Sequence, residues 1–234
     1  MSIQSLRLDL HSLANPQKAK FLQRYFKTGK GQYAEGDVFL GITVPEQRKI
    51  AKKYFKELSL QNIQELLNSK FHEERFTALE ILNFKYKKSE NKYELVEFYL
   101  KNLKNINNWD LVDTSAPYIL GEFLFNGDKS ILHMLARSKN IWERRIAIVS
   151  TFAFIKKRKF GETLVLAEIL LKDEHDLIQK AVGWMLREIG KRDVKVLEIF
   201  LKSRYKEMPR TMLHYAIEKF PEDTRKAYLK GKIN

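Results

Sequence analysis

The chain has 234 residues, with 43 Lys+Arg against 29 Asp+Glu and a formal net charge of +14. Cysteine is absent, which excludes disulfides and thiol chemistry, and the five histidines are scattered without metal-ligand spacing. The basic excess favours a polyanionic partner, nucleic acid before an anionic membrane surface, and a zinc site is not expected.

From the amino end, no signal-peptide apolar block precedes the first mixed apolar and charged residues. The longest apolar stretch, residues 146–155, is broken by Ser150 and Thr151 and is far shorter than the ~20 residues needed to span a bilayer. A cytoplasmic protein without membrane association is the expectation. Glycine and proline are scarce and fall where helices should end: at Asn15-Pro16, across residues 29–36, and at Val44-Pro45. Thr43 and Glu46 have the spacing of a capping box for the helix at Pro45. Apolar residues then recur at helical spacing, as in Leu79, Leu82 and Tyr86. Further breaks at residues 126–128, Gly190, Met208-Pro209 and Phe220-Pro221 separate later patterns. Among these are Ile146, Val149, Ala153 and Ile178, Val182, Met185, Ile189. Alternating strand patterns of useful length are missing, so the fold is all-α.

Asn107-x-x-Asp110, Asn140-x-x-Glu143 and Asp173-x-x-Asp176 are cap-like helix starts at equal 33-residue intervals. A repeating unit of two helices at that length marks an α-solenoid. Five or six HEAT-like helical pairs are expected, stacked into a curved array that forms one domain over residues 1–234. In such an array one helix of each pair lines the concave side. The basic residues Arg75, Arg144, Arg145, Lys180, Arg187 and Arg210 recur on those helices and would make a basic concave groove. Its contacts would go to phosphates rather than base edges.

The run Asn107-Asn108-Trp109-Asp110-Leu111-Val112-Asp113 carries the most chemistry. Asn107 can cap a helix and Asp110 can answer it in a capping box, giving Asp110 a local role. Asp113 lies one turn beyond Trp109, so aromatic and carboxylate share a face. Trp142, at the second position of its helix, reads as packing at a repeat junction. Lys180, Trp184 and Arg187, spaced i, i+4, i+7, put an aromatic between two cations on one stripe.

These stretches resemble those of the AlkD-like DNA alkylation-repair glycosylases. The segments that carry the resemblance are 108–113, 140–145 and 179–188, with Phe39-Leu40-Gly41-Ile42 and Pro45 similar to the family's first loop. The likeness runs over roughly residues 15 to 220. It implies a HEAT-like repeat fold holding duplex DNA, and hydrolysis of the N-glycosidic bond of N3- and N7-alkylated purines. It further implies no metal or cofactor and a lesion that stays stacked, unlike in base-flipping glycosylases. On the same grounds Asp113 is the catalytic acid, and Trp109 and Trp184 flank the deoxyribose. Arg145 would grip the backbone, with Arg187 and Tyr25 as further DNA contacts. Lys180 and Arg144 join the DNA-binding candidates from their place in the repeat. Thr43 joins them because some relatives carry a DNA-approaching glutamine there. Ala153 stands where some relatives have a lysine, and the 29–37 loop is longer than in some relatives.

Three functions remain open on the sequence: an alkylpurine DNA glycosylase, expected to act as a monomer on double-stranded DNA with alkylated purines; a non-catalytic HEAT-repeat protein binding damaged or branched DNA; and a protein-interaction scaffold. No lysine is placed as a Schiff-base nucleophile, so lyase activity is not expected.

Overall fold

The computed structural model describes residues 2–233, and they are helical over most of their length. Among them extended pairing is confined to an isolated parallel bridge between Val38 and Phe71. The chain divides into two compact units, Met1–Ser115 and Ala116–Asn234.

The first unit opens with α1 (Ile3–Ser12) and α2 (Pro16–Tyr25), then a turn-rich loop, then α3 (Val44–Tyr54) and α4 (Leu60–Leu67). It closes with α5 (His72–Lys88), α6 (Lys92–Lys101) and α7 (Trp109–Ser115). The starts follow local chemistry. Asn15 accepts the N–H of Lys18 at 3.0 Å ahead of Pro16, whose ring fixes φ for the first turn of α2. The expected capping box at α3 forms, with Thr43 N–H and Oγ1 donating to Glu46 at 2.9 and 2.6 Å. α5 is the hub, packing against α3, α4 and α7. It is buried on nearly every side, so five charged or ionisable groups, His72, Glu73, Glu74, Arg75 and Glu80, lie inside the unit. Burial of that kind costs heavily unless each group is paired.

In the second unit a π-helical turn (Pro117–Gly121) and the short α8 (Glu122–Leu124) precede α9 (Ser130–Ala136) and α10 (Ile141–Ser150). α11 (Phe152–Lys156), α12 (Gly161–Ile169), α13 (Asp176–Gly190), α14 (Val194–Lys202), α15 (Arg210–Ala216) and α16 (Glu222–Leu229) complete it. α10 packs on α9 and α13, and α13 packs closely on α15. Gly183 permits that approach, because a Cβ there would lie 2.5 Å from the Met212 carbonyl oxygen. Trp142 is buried, as a packing residue should be.

The regular spacing of helix starts holds only in part. Asn140 caps α10, its Oδ1 accepting from Trp142 N–H at 2.9 Å. The start of α13 is capped instead by His175, whose Nδ1 accepts from Leu177 N–H. Asp173 is engaged with His175 N–H at 2.9 Å and with Arg144 at 2.7 Å, so it is not the cap.

Candidate active site

α7 begins one residue later than the sequence suggests, and its cap differs. Asn108 precedes the helix, accepting Trp109 N–H on its side chain at 2.8 Å and Val112 N–H on its carbonyl at 3.1 Å. The Asn107–Asp110 capping box does not form; the Asn107 side-chain oxygen is buried and makes no hydrogen bond. Asp110 Oδ1 accepts Leu111 N–H at 2.9 Å, while Oδ2 lies 2.7 Å from His72 Nε2. A partner from 38 residues away has displaced the local one.

The same helix is held at its far end. Glu80 accepts from Thr114 Oγ1 at 2.7 Å, and Asn83 donates to the Thr114 carbonyl at 2.8 Å. Ser115 meets the Tyr99 hydroxyl at 3.0 Å. His72, Glu80 and Asn83 all stand on α5, so one helix grips α7 before and after Asp113. Trp109 and Asp113 are both partly exposed, one turn apart on this clamped helix.

Trp109 also ends a row of rings. Its indole stacks on Phe26 at 5.0 Å and 4°, and Tyr25 meets it edge-on at 6.1 Å. Phe26 stacks on Phe39 at 4.9 Å, and Phe39 on His72 at 4.4 Å. On the solvent side Tyr25 stacks on Phe21, and these two rings are 57% and 61% exposed. Phe21, Tyr25, Phe26, Phe39 and His72 also line a largely apolar pocket of about 440 Å³ with Asp110. Exposed aromatics at such a place can stack on nucleobases or sugars. Phe21, Phe26 and His72 were not singled out from sequence, and Phe39 was named there only within the stretch 39–42 that resembles the family's first loop. The i, i+4 pair Phe21–Tyr25 between Lys18, Lys20, Arg24 and Lys27 is the signal that could have found the first.

The loop under this row is built around one carboxylate. Glu73, 1% exposed, accepts the N–H groups of Leu40, Gly41 and Ile42 at 2.9, 2.8 and 3.3 Å. Gly41 has φ +84°, and a Cβ there would lie 2.2 Å from the Asn15 carbonyl oxygen. Only glycine lets this loop lie against the start of α2, which carries Tyr25.

His72 is the electrostatic centre. It is 2% exposed, with Nδ1 3.3 Å from Asp37 and Nε2 2.7 Å from Asp110. Burial pushes its pKa down, but the charge and hydrogen bond of Asp110, with Asp37 behind them, prevail and raise it to about 9. Asp37 is itself buried, which would raise its carboxyl; His72 and Arg75, the latter at 2.7 Å, outweigh burial and hold it below the usual range. Arg75, expected on a phosphate-facing surface, is therefore a buried partner of Asp37, 5% exposed.

In the second unit, Trp184, Lys180 and Arg187 all lie on α13. Trp184 is partly buried beside Phe152, centroids 5.8 Å apart. Lys180 pairs with Asp176 at 2.7 Å, and Arg187 pairs with Glu218. Arg144 and Arg145 are more enclosed than expected of phosphate contacts. Arg144 bonds Asp173 and the Ser138 and Lys139 carbonyls, fastening the turn before α10 to the one before α13. Arg145 is 5% exposed and donates to the Leu177 carbonyl at 2.7 Å. Thr43 is exposed but committed to its capping box. Arg210 is exposed and donates to the Leu229 carbonyl at 2.6 Å.

Among the described residues no group of three or more His, Cys, Asp or Glu could hold a metal ion. No helix among them is long and apolar enough to cross a membrane.

Paired helices without a named strand among the described residues define an all-helical repeat protein, and α7 carries an indole and a carboxylate one turn apart as its candidate site. The sequence matches the model of a family described as DNA alkylation repair enzyme over residues 6–220, and the chain belongs to that family. Its role is thereby in DNA repair. No curated protein matches it. A solved structure described as a predicted DNA alkylation repair enzyme from Enterococcus faecalis superposes with TM-score 0.73 at 20% identity, covering 89% of this chain and 97% of that one. AlkD2 from Streptococcus mutans superposes with TM-score 0.56 at 20% identity, covering 88% and 98%. At that identity the two likenesses speak for the fold.

Proposed function

We propose that this protein is an alkylpurine DNA glycosylase, hydrolysing the N-glycosidic bond of N3- or N7-alkylated purines in duplex DNA and leaving an abasic site. The observation that carries the reading is the clamped helix α7, which presents Asp113 and Trp109 together, one turn apart and partly exposed. An alkylated purine is already cationic, so its departure needs little protonation. Positive charge develops instead on the sugar, as in other glycoside hydrolyses. A fixed carboxylate opposes that charge and can orient the attacking water. At ~4 Å and an effective dielectric near 20 the attraction amounts to about 4 kcal/mol. Clamping at Asp110 and Thr114 means that little reorganisation is needed during the reaction.

In this reading the face of Trp109 receives the electron-poor sugar, and Trp184 on α13 offers a further aromatic face to the DNA. Tyr25, Arg187 and Lys180 contact DNA, and Arg145, Arg144 and Thr43 join them either directly or by holding the backbone that does. The ion pairs of Lys180 and Arg187 do not stand against this, because exposed pairs are worth ~0–1 kcal/mol and a phosphate can replace the carboxylate. The protein acts as a monomer without cofactor. Incubation with methylated duplex should release free 7-methylguanine or 3-methyladenine and leave abasic sites. Tight binding of the duplex with no released base would favour a non-catalytic DNA-binding role instead.

A further inference from the structure

We infer that His72 is the positioning residue of the candidate catalytic helix, a buried imidazolium that ties Asp110 at the start of α7 to Asp37 and so fixes Trp109 and Asp113. The inference rests on the proposed hydrolase reading for its effect on rate, but not for its structural content.

Both ring nitrogens of His72 face carboxylate oxygens, at 3.3 Å to Asp37 and 2.7 Å to Asp110. A neutral imidazole has a single N–H, so one of these contacts would set lone pair against lone pair. A proton must therefore be shared on one side or the other. Arg75 lies 2.7 Å from Asp37 and the Leu111 N–H donates to Asp110 at 2.9 Å, so both carboxylates already act as acceptors and the proton belongs on the ring. The remaining neighbours agree. Phe39 stacks on the ring at 4.4 Å and Phe26 lies at 5.2 Å, faces that accept a cation. Glu73, the next residue on α5, is occupied by the N–H groups of Leu40, Gly41 and Ile42. Arg75, on the same helix, opposes protonation, and two carboxylates outweigh it.

The geometry then passes to the site by two routes. Through Asp110, His72 sets where α7 begins, and Asp113 is three residues further along. Through Phe39 and Phe26, it sets the plane on which the Trp109 indole lies. His72 has no need to touch DNA for either.

The test combines nitrogen-15 NMR of the wild-type protein with the variants His72→Gln and Asp110→Asn. At pH 7.5 both ring nitrogens of His72 should be protonated, and the Trp109 indole N–H resonance should shift as His72 titrates at alkaline pH. On methylated duplex, single-turnover release should fall roughly 10- to 100-fold in either variant with DNA affinity held within a few-fold, as for a misplaced catalytic group. The double variant should lose little more than the singles, since both break one link. A His72 that is neutral at pH 7.5, or a Trp109 resonance indifferent to its titration, overturns the inference even if the variants fail to fold. Variants that release base at the wild-type rate overturn it as well. Wild-type protein that releases no base contradicts the hydrolase reading alone, and the NMR measurements then decide the role of His72.

Discussion

Asp110 and Asp113 lie three residues apart and have different work. Asp110 is spent on His72 and on Leu111 N–H, while Asp113, partly exposed one turn beyond Trp109, is the proposed catalytic carboxylate. Their spacing and the aromatic neighbour were legible in the sequence, because one helical turn fixes who shares a face. The identity of Asp110's partner was not, since His72 reaches it by tertiary packing. Arg145 shows the same limit. Its basic character suggested a surface cation, yet it is buried with a 2.7 Å bond to the Leu177 carbonyl. Arg145→Ala is accordingly expected to lower stability by about 2 kcal/mol, the worth of a buried charge-assisted bond, in urea denaturation. It should also weaken binding of modified and plain duplex alike. Unchanged affinity would contradict its place in the DNA-binding machinery.

Helix starts written in neighbouring residues were readable, as at Asn15-Pro16, Thr43–Glu46 and Asn140. Those that depend on a distant group were not, as at α7 and α13. The same division governs stability. Glu73 satisfies the N–H groups of residues 40–42 from another part of the chain, so Glu73→Ala should leave buried donors unpaired and cost about 3 kcal/mol or more in the denaturation midpoint. Gly41→Ala should destabilise comparably, because the loop must move off Asn15. The network about His72 adds a pH dependence of definite sign. Its pKa rises from 6.5 to about 9 on folding, so its contribution is complete below pH ~6.5 and is lost as pH climbs through 9. That amounts to about 3 kcal/mol at most. Asp37 works oppositely, its contribution failing only as pH drops below the carboxylate range. Urea midpoints should therefore decline between pH 6.5 and 9.5, and much less so in His72→Gln. A flat profile in the wild type would mean that His72 folds as a neutral ring.

Over the molecule as a whole, the formal charge of +14 is what a partner meets first. The composition announced it; which cations are available it could not announce. Arg75 is buried against Asp37 and Arg144 is bonded to Asp173, whereas Lys180 and Arg187 hold partners on partly exposed sites. Binding to duplex should weaken linearly in log–log plots against salt, by about 0.9 for each phosphate neutralised. Arg187→Gln should reduce that slope by about one. Arg75→Gln should instead lower stability with the slope unchanged. Equal slopes for wild type and Arg187→Gln would remove Arg187 from the DNA contacts.

The proposed chemistry rests on the Asp113 carboxylate, and single-turnover release of 7-methylguanine from methylated duplex by wild type and Asp113→Asn tests it most directly. The substitution keeps size and hydrogen-bonding capacity while removing the charge that opposes the sugar cation. Release by the wild type, a loss of about 10²-fold or more in the variant, and duplex affinity largely retained are expected. Equal release by both proteins would contradict the mechanism.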